Sequence, residues 1–398
     1  MGAILPVLIL ASIAYSLTVS FINPILVEVA RTFHASVGTA GQARAILSAA
    51  GAVAALGATV FADRVPRRWQ LLMGLAVLGI GDAGLGLTQS FGPWMALQGV
   101  AGIGAAIVGL AGTAAAGDYF DETQRGAAMG WITSGYPIAW LVGMPLIGWI
   151  ADGWGWRVSY LAAGAGIAAL AFLGVLVALP APRFQTAPPS HYLAGWRVLL
   201  ATPAARAWVI AELLTTTAWS SFLVYVGAFF GVTYGLTPGK IGAIVAVGAL
   251  ASVAGTLSSG RWGDRWGRRR VLLLSTLLAA LAIAAPLSLR LTPLASLALL
   301  LPYYFISSVR FPTSSTIALS LLPAAPGTMM ATRGLTITIG GMTGTILAGL
   351  LLEVGGFATV GVAYALLTAA GFAIFWRRIP AAPGEPAMRR EDEPNPWR

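Results

Sequence analysis

The sequence predicts an all-α polytopic membrane protein, with twelve transmembrane helices in two pseudo-symmetric six-helix bundles. Three observations carry that expectation. Of the 398 residues, 57% are hydrophobic and only 10% are charged. A soluble domain carries about 25% charge, so a soluble globule of this length would lack the charge to cover its surface. The apolar residues also fall in continuous runs of the roughly 20 residues a spanning helix needs, not in the alternating segments of about ten that build a membrane barrel. Finally, the charged turn Asp63-Arg64-Val65-Pro66-Arg67-Arg68 has an echo at an offset of 201, Asp264-Arg265-Trp266-Gly267-Arg268-Arg269-Arg270.

Taken in order, the runs cover 4–28, 38–62, 70–90, 93–117, 127–150, 158–180, 206–232, 239–260, 271–290, 294–320, 333–353 and 357–378. The first run has no basic leading segment and is longer than a signal-peptide core, so it reads as a retained helix. The turn at Asp63 separates runs two and three, and its echo separates eight and nine. Very short turns join three to four, nine to ten and eleven to twelve. Between runs six and seven, Pro180, Pro182, Pro188, Pro189 and Pro203 oppose a continuing helix. The expected division is therefore a bundle over 1–180, a linker over 181–205, a bundle over 206–379 and a disordered Pro-rich tail over 380–398.

Arginine placement sets the expected orientation. Of 24 Lys and Arg, 18 fall on the side of the charged turns. The opposite side holds Arg31, Arg44, Arg157, Lys240 and Arg290, and Arg310 lies inside a run. The turns and both termini are thus expected in the cytoplasm, and the chain in a bacterial or archaeal inner membrane. The net charge of +10 sits at the ends of apolar runs, which points to lipid headgroups and topology, not nucleic acid.

Several function classes are excluded. There is no cysteine, so disulfides, thiol catalysis and Fe–S clusters are ruled out. His34 and His191 both lie outside the runs. No metal or Ser-nucleophile motif and no Walker loop occurs, so neither an enzyme nor an ATP-driven pump is expected, and no metal or cofactor. The run Gly79-Ile80-Gly81-Asp82-Ala83-Gly84 has G-x-G-x-x-G spacing, but no strand precedes it. Gly126 with Gly130, and Gly340 with Gly344, have the spacing that lets helix backbones approach.

The two turns resemble the signature loop of the major facilitator superfamily, G-x-L-A-D-R-x-G-R-R/K. The second copy, Gly260-Arg261-Trp262-Gly263-Asp264-Arg265-Trp266-Gly267-Arg268-Arg269, is nearly complete. The first puts Thr59 and Pro66 where glycines belong. Gln124-Arg125-Gly126 and Thr332-Arg333-Gly334 repeat before runs five and eleven. Ala40-Gly41-Gln42, and Leu97-Gln98-Gly99 with Gly102 and Gly104, resemble the drug and sugar efflux branch, with Met95 where that branch carries arginine. Gly143-Met144-Pro145 and Gly148 partly match its antiporter motif.

The resemblance implies a secondary active transporter with no enzymatic activity. It would move a small organic or drug-like solute by alternating access, as proton-coupled efflux from a monomer in the bilayer. Uptake or exchange of a small organic anion bound by Arg310 and Arg44 is the alternative. A non-transporting membrane sensor is the reading from another class.

The loops are expected to form a conformational latch of Asp63, Arg64, Arg67, Arg68, Asp264, Arg265, Arg268 and Arg269 with Arg125 and Arg333. Asp63 should meet the start of span eleven near Arg333, and Asp264 the start of span five near Arg125. Ionisable groups inside spans are costly in lipid and mark partners or pathways. These are Arg310 and Glu212, placed by the resemblance on cavity-lining spans ten and seven and read either as an anion site and a proton-exchange site or as a structural ion pair, with Arg44 and Asp82. Asn23, Tyr15, Tyr136, Trp140, Trp219, Tyr225 and Tyr303 complete the substrate or coupling candidates.

Overall fold

The computed structural model describes residues 3–61, 65–180, 192–289 and 291–380, and among them every regular element is helical. The first span is bent. Ile4–Ser20 and Ile22–Thr32 meet at 43°. Pro24 has no N–H to offer the Ser20 carbonyl, so the hydrogen-bond ladder is interrupted at the bend.

Among the described residues, nine helices are long and apolar enough to cross a membrane alone, and the bent pair makes a tenth. The longest, Pro326–Arg378, contains two spans. Gly356 divides it at φ 67°, a conformation that glycine adopts without a Cβ penalty. Val37–Gly41 followed by Ala43–Phe61 is the second span and completes the twelve. Several helices overrun the apolar runs, notably Glu122–Trp154 for span five and Pro203–Tyr234 for span seven. Spans seven, eight, ten and eleven each begin with proline in the first turn, where its missing N–H costs nothing.

The linker is not loop throughout: Tyr192–Ala201 is helical, and its Gly195 lies directly against the Thr328 side chain at the start of span eleven. Residues 181–191 and the tail from 381 fall outside the described residues.

Small residues set the packing within each bundle. Gly81 and Gly84 press on Ala101 and Leu97 of span four, and Gly104 on the Leu78 backbone of span three, so the glycine-rich run in span three is a helix contact. Gly340 and Gly344 press on Thr216 and Thr217 of span seven as their spacing predicts. Gly126 and Gly130 differ, with open space where a Cβ would point.

That difference reflects how the bundles meet. Contacts between them gather on the face opposite the charged turns, here called the far face: span one on seven, two on eleven, and five on eight. On the basic face an added Cβ at Gly126, Gly130 or Gly334 would meet nothing within 4 Å among the described residues. The structure is closed at the far face and open between the bundles at the basic one.

Candidate functional site

The closure is built from one arrangement used twice. Ser36 caps the first turn of span two, accepting from Thr39 N, and its hydroxyl donates to Glu353 Oε1 at the end of span eleven, 2.7 Å away. Thr39 Oγ1 also donates to Glu353, at 3.3 Å. At the offset of 201, Thr237 precedes span eight and donates to Asp152 Oδ2 at the end of span five, 2.9 Å away. Gly239 N donates to the same oxygen at 3.1 Å. Each carboxylate thus meets the positive end of a helix in the other bundle.

Glycines follow the same symmetry. Gly38 touches the Gly349 backbone and Gly148 the Pro238 backbone, each without room for a Cβ. Sequence reasoning missed Asp152 and Glu353. The signal was present in Ser36-Val37-Gly38 and Thr237-Pro238-Gly239, an N-cap residue followed by glycine at the same offset as the charged turns.

Two expected substrate residues belong to this closure. Asn23 Nδ2 donates to the Leu223 carbonyl across the bundles. The Tyr225 hydroxyl lies 3.2 Å from Gly38 O and 3.1 Å from Thr345 O, and its one proton serves either.

Between the closure and the open face, spans two and five flank span one and send Arg44 and Tyr136 toward its Tyr15. Arg44 is within electrostatic reach of both phenols. Its Nη1 is buried and meets no acceptor among the described residues. Tyr136 is 41% exposed although it lies in the middle of a span. Beside it, Trp140 Nε1 donates to Ser20 Oγ at 2.9 Å, with the two rings 5.9 Å apart. Trp140 lies in a π-turn, Ala139–Gly143, a local widening that recurs at functional sites. This cluster sets a guanidinium and two phenols at the space between the bundles, with the buried Trp140 indole packed behind Tyr136.

In the second bundle Glu212 and Arg310 meet. Arg310 Nη1 lies 2.8 Å from Glu212 Oε2, and both side chains are buried. Ser314 Oγ donates to the same oxygen at 2.8 Å and accepts from Trp208 Nε1 at 3.1 Å. Arg333 joins the pair: its Nε is 3.9 Å from Glu212 Oε1, and its guanidinium lies 3.8 Å over the Phe311 ring. Trp219 and Tyr303 pack with Phe222 nearby, Tyr303 fully buried.

Asp82 stands apart, wholly buried where spans one and six pack on span three. Thr18 Oγ1 donates to its Oδ2 at 2.7 Å.

Asp63 and Arg64 lie outside the described residues. The other latch residues, Arg265 apart, engage their own bundles. Arg67 pairs with Asp118 at 2.8 Å. Arg68 donates to Leu176 O at the end of span six, and Arg269 to Trp376 O and Ile379 O at the end of span twelve, so these two cap matching carbonyl ends. Arg125 donates to Gly117 O, and Arg265 is exposed. Asp264 does not approach span five. Its side chain is 78% exposed, with Arg268 at 4.0 Å, because the bundles are apart on this face.

Two helical bundles around an open central space, closed at one end by symmetric contacts, define a membrane carrier. The chain matches the Major Facilitator Superfamily over two overlapping stretches, residues 8–258 and 209–398, and belongs to that family. It is 26% identical over 330 residues to an uncharacterized MFS-type transporter, YceJ, of Bacillus subtilis (strain 168), covering 82% of this chain and 84% of that one. A probable 4-methylmuconolactone transporter of Cupriavidus pinatubonensis is 26% identical over 145 residues, 35% of this chain and 33% of the relative. Among solved structures, a D-xylose-proton symporter aligns with TM-score 0.81 at 13% identity, covering 95% and 98% of the two chains. A bacterial homologue of the human lysosomal transporter Spinster, inward-facing and occupied, aligns with TM-score 0.77 at 15% identity, over 94% and 95%. Secondary transport of a small solute follows from the family.

Proposed function

We propose that the transported solute is a small organic anion whose carboxylate binds Arg44 while its body rests on Tyr15, Tyr136 and Trp140. The observation that carries this reading is the buried Arg44 Nη1 without an acceptor. A half-buried guanidinium whose inner nitrogen meets no carboxylate among the described residues calls for an anionic partner. Arg310, the other expected anion site, is already paired with Glu212. The aromatic lining suits a planar body, and the relative named for a muconolactone is named for a small ring compound. Arginine asymmetry supports a cytoplasmic open face, and the resemblance to the efflux branch supports export.

The test uses benzoate and its neutral isostere benzamide. Benzoate is expected to quench tryptophan fluorescence of the purified protein and to move across proteoliposomes, and benzamide to do neither. Arg44→Gln should weaken benzoate binding at least tenfold, the equivalent of about 1.4 kcal/mol. Equal binding by Arg44→Gln would remove the anion reading. Binding without flux would make the protein a sensor.

A further inference from the structure

We propose that Asp82 is a proton-binding site, and that the proton it holds stabilises closure of the far face. This goes beyond the carrier reading and rests on it only where proton movement is tied to solute.

The site starts from a charge imbalance. Asp82 is 0% exposed, and its Oδ1 is buried without a hydrogen-bond partner. Three spans pack on span three: one, four and six. Span one presents Thr18, a hydroxyl. Span six presents Gly164, where an added Cβ would stand 3.0 Å from the carboxyl oxygen, and Tyr160, a phenol. Span four supplies Gln98, whose Nε2 donates to the Tyr160 hydroxyl at 3.4 Å. The nearby cation on span six, Arg157, is turned away to Thr88 O, 3.4 Å, with its guanidinium over the Trp156 ring at 4.4 Å. No Lys or Arg among the described residues pairs with Asp82.

A carboxylate so placed has one hydrogen bond and no counter-ion, so its charge is disfavoured. A proton on Oδ2 removes the charge. The carboxyl O–H then donates to the Thr18 hydroxyl across the same 2.7 Å contact. Loss of that proton to water leaves a carboxylate that must be solvated.

The location ties this titration to a moving part. Thr18 lies three residues before the bend in span one. The bend residue Phe21 stacks on Tyr160, with ring centroids 4.2 Å apart and planes 13° apart. Tyr160 opens the π-turn of span six, Tyr160–Ala165, which also holds Gly164. Beyond the bend, Ile22–Thr32 carries Asn23, which bridges to span seven. Water reaches Asp82 when spans one, three and six loosen, and that swings Ile22–Thr32 off span seven. Protonated Asp82 therefore goes with the closed far face, and ionised Asp82 with the open one. Acid acts oppositely on Asp152 and Glu353, whose charges hold the closure, so the sign of the pH response identifies the group.

The chain has no cysteine, so a labelled pair can be placed cleanly. Gln89 and Lys240 are exposed on the far face of opposite bundles. Spin labels at Gln89→Cys and Lys240→Cys in lipid nanodiscs, without solute, report the closure between pH 5 and 9. The distance is expected to shift from a short to a long population as pH rises, and Asp82→Asn to keep it short throughout. Thr18→Val retains the acid but removes its one hydrogen-bond partner among the described residues, and should move the midpoint by about one pH unit. Arg44→Gln should keep the pH response while losing the benzoate effect, which separates this proposal from the solute reading. No pH response in the unsubstituted chain, a response that survives Asp82→Asn, or an unmoved midpoint in Thr18→Val would each overturn it.

Discussion

Among the described residues, each bundle buries one carboxylate completely, and the two are treated in opposite ways. Glu212 sits beneath Arg310 at 2.8 Å, Ser314 at 2.8 Å and Arg333 at 3.9 Å, joining spans seven, ten and eleven. Asp82 receives one threonine hydroxyl and joins spans one and three. A buried charge with its counter-charges in place is a structural tie, and removing one partner strands the other. A buried acid without them is inexpensive only when neutral, which makes it a group that can change. The difference assigns cohesion to the second bundle's acid and responsiveness to the first's.

The largest effect that could break this comparison is at Glu212. Glu212→Ala leaves Arg310 buried with no carboxylate, an expected loss of about 3–5 kcal/mol. It should appear as a markedly lower melting temperature in detergent. Glu212→Ala together with Arg310→Met removes both charges and should recover most of the loss. If the double variant is no more stable than the single one, the tie is not electrostatic. Asp82→Asn keeps shape and hydrogen bonding without a charge, so its melting temperature at neutral pH should stay within a change of about 1 kcal/mol. A loss at Asp82→Asn as large as that at Glu212→Ala would erase the distinction.

How far this was legible in the sequence also differs between the two acids. Glu212 and Arg310 were readable as partners because they are opposite charges on spans the family fold places together. Arg333 was not, because its place beside a repeated Gly suggested the loop latch. Its turn inward depends on the Phe311 ring, a tertiary contact. Asp82 was visible as an oddity in an apolar run, but its lack of a counter-ion was not, since that depends on every side chain around it. Asn23 and Tyr225 looked like cavity residues because polar groups at mid-depth usually are. Their roles in closure depend on which face is shut. The twelve spans were legible because composition alone forces them. The bend at Pro24 was not, because it depends on local geometry.

The finest test of the comparison lies in the closure that both halves share. Asp152 and Glu353 are exposed, related by the 201 offset, and each caps a helix start in the other bundle. An exposed carboxylate at a helix N-terminus contributes about 0.3–1 kcal/mol. Asp152→Asn and Glu353→Gln should therefore each move the open-to-closed ratio by only a few-fold, in the same direction, with the double variant near the product of the two. The Gln89–Lys240 label distance at fixed pH measures this ratio directly. Near-equal single effects would show that the far face is a symmetric clasp, so that the asymmetry between the bundles lies in their buried acids. A dominant effect at one position would move part of that asymmetry to the clasp. Because Glu353 has two hydroxyl donors, Ser36 and Thr39, and Asp152 one hydroxyl and one backbone N–H, any such imbalance should be traceable with Thr39→Val, which leaves the Glu353 end with a single donor.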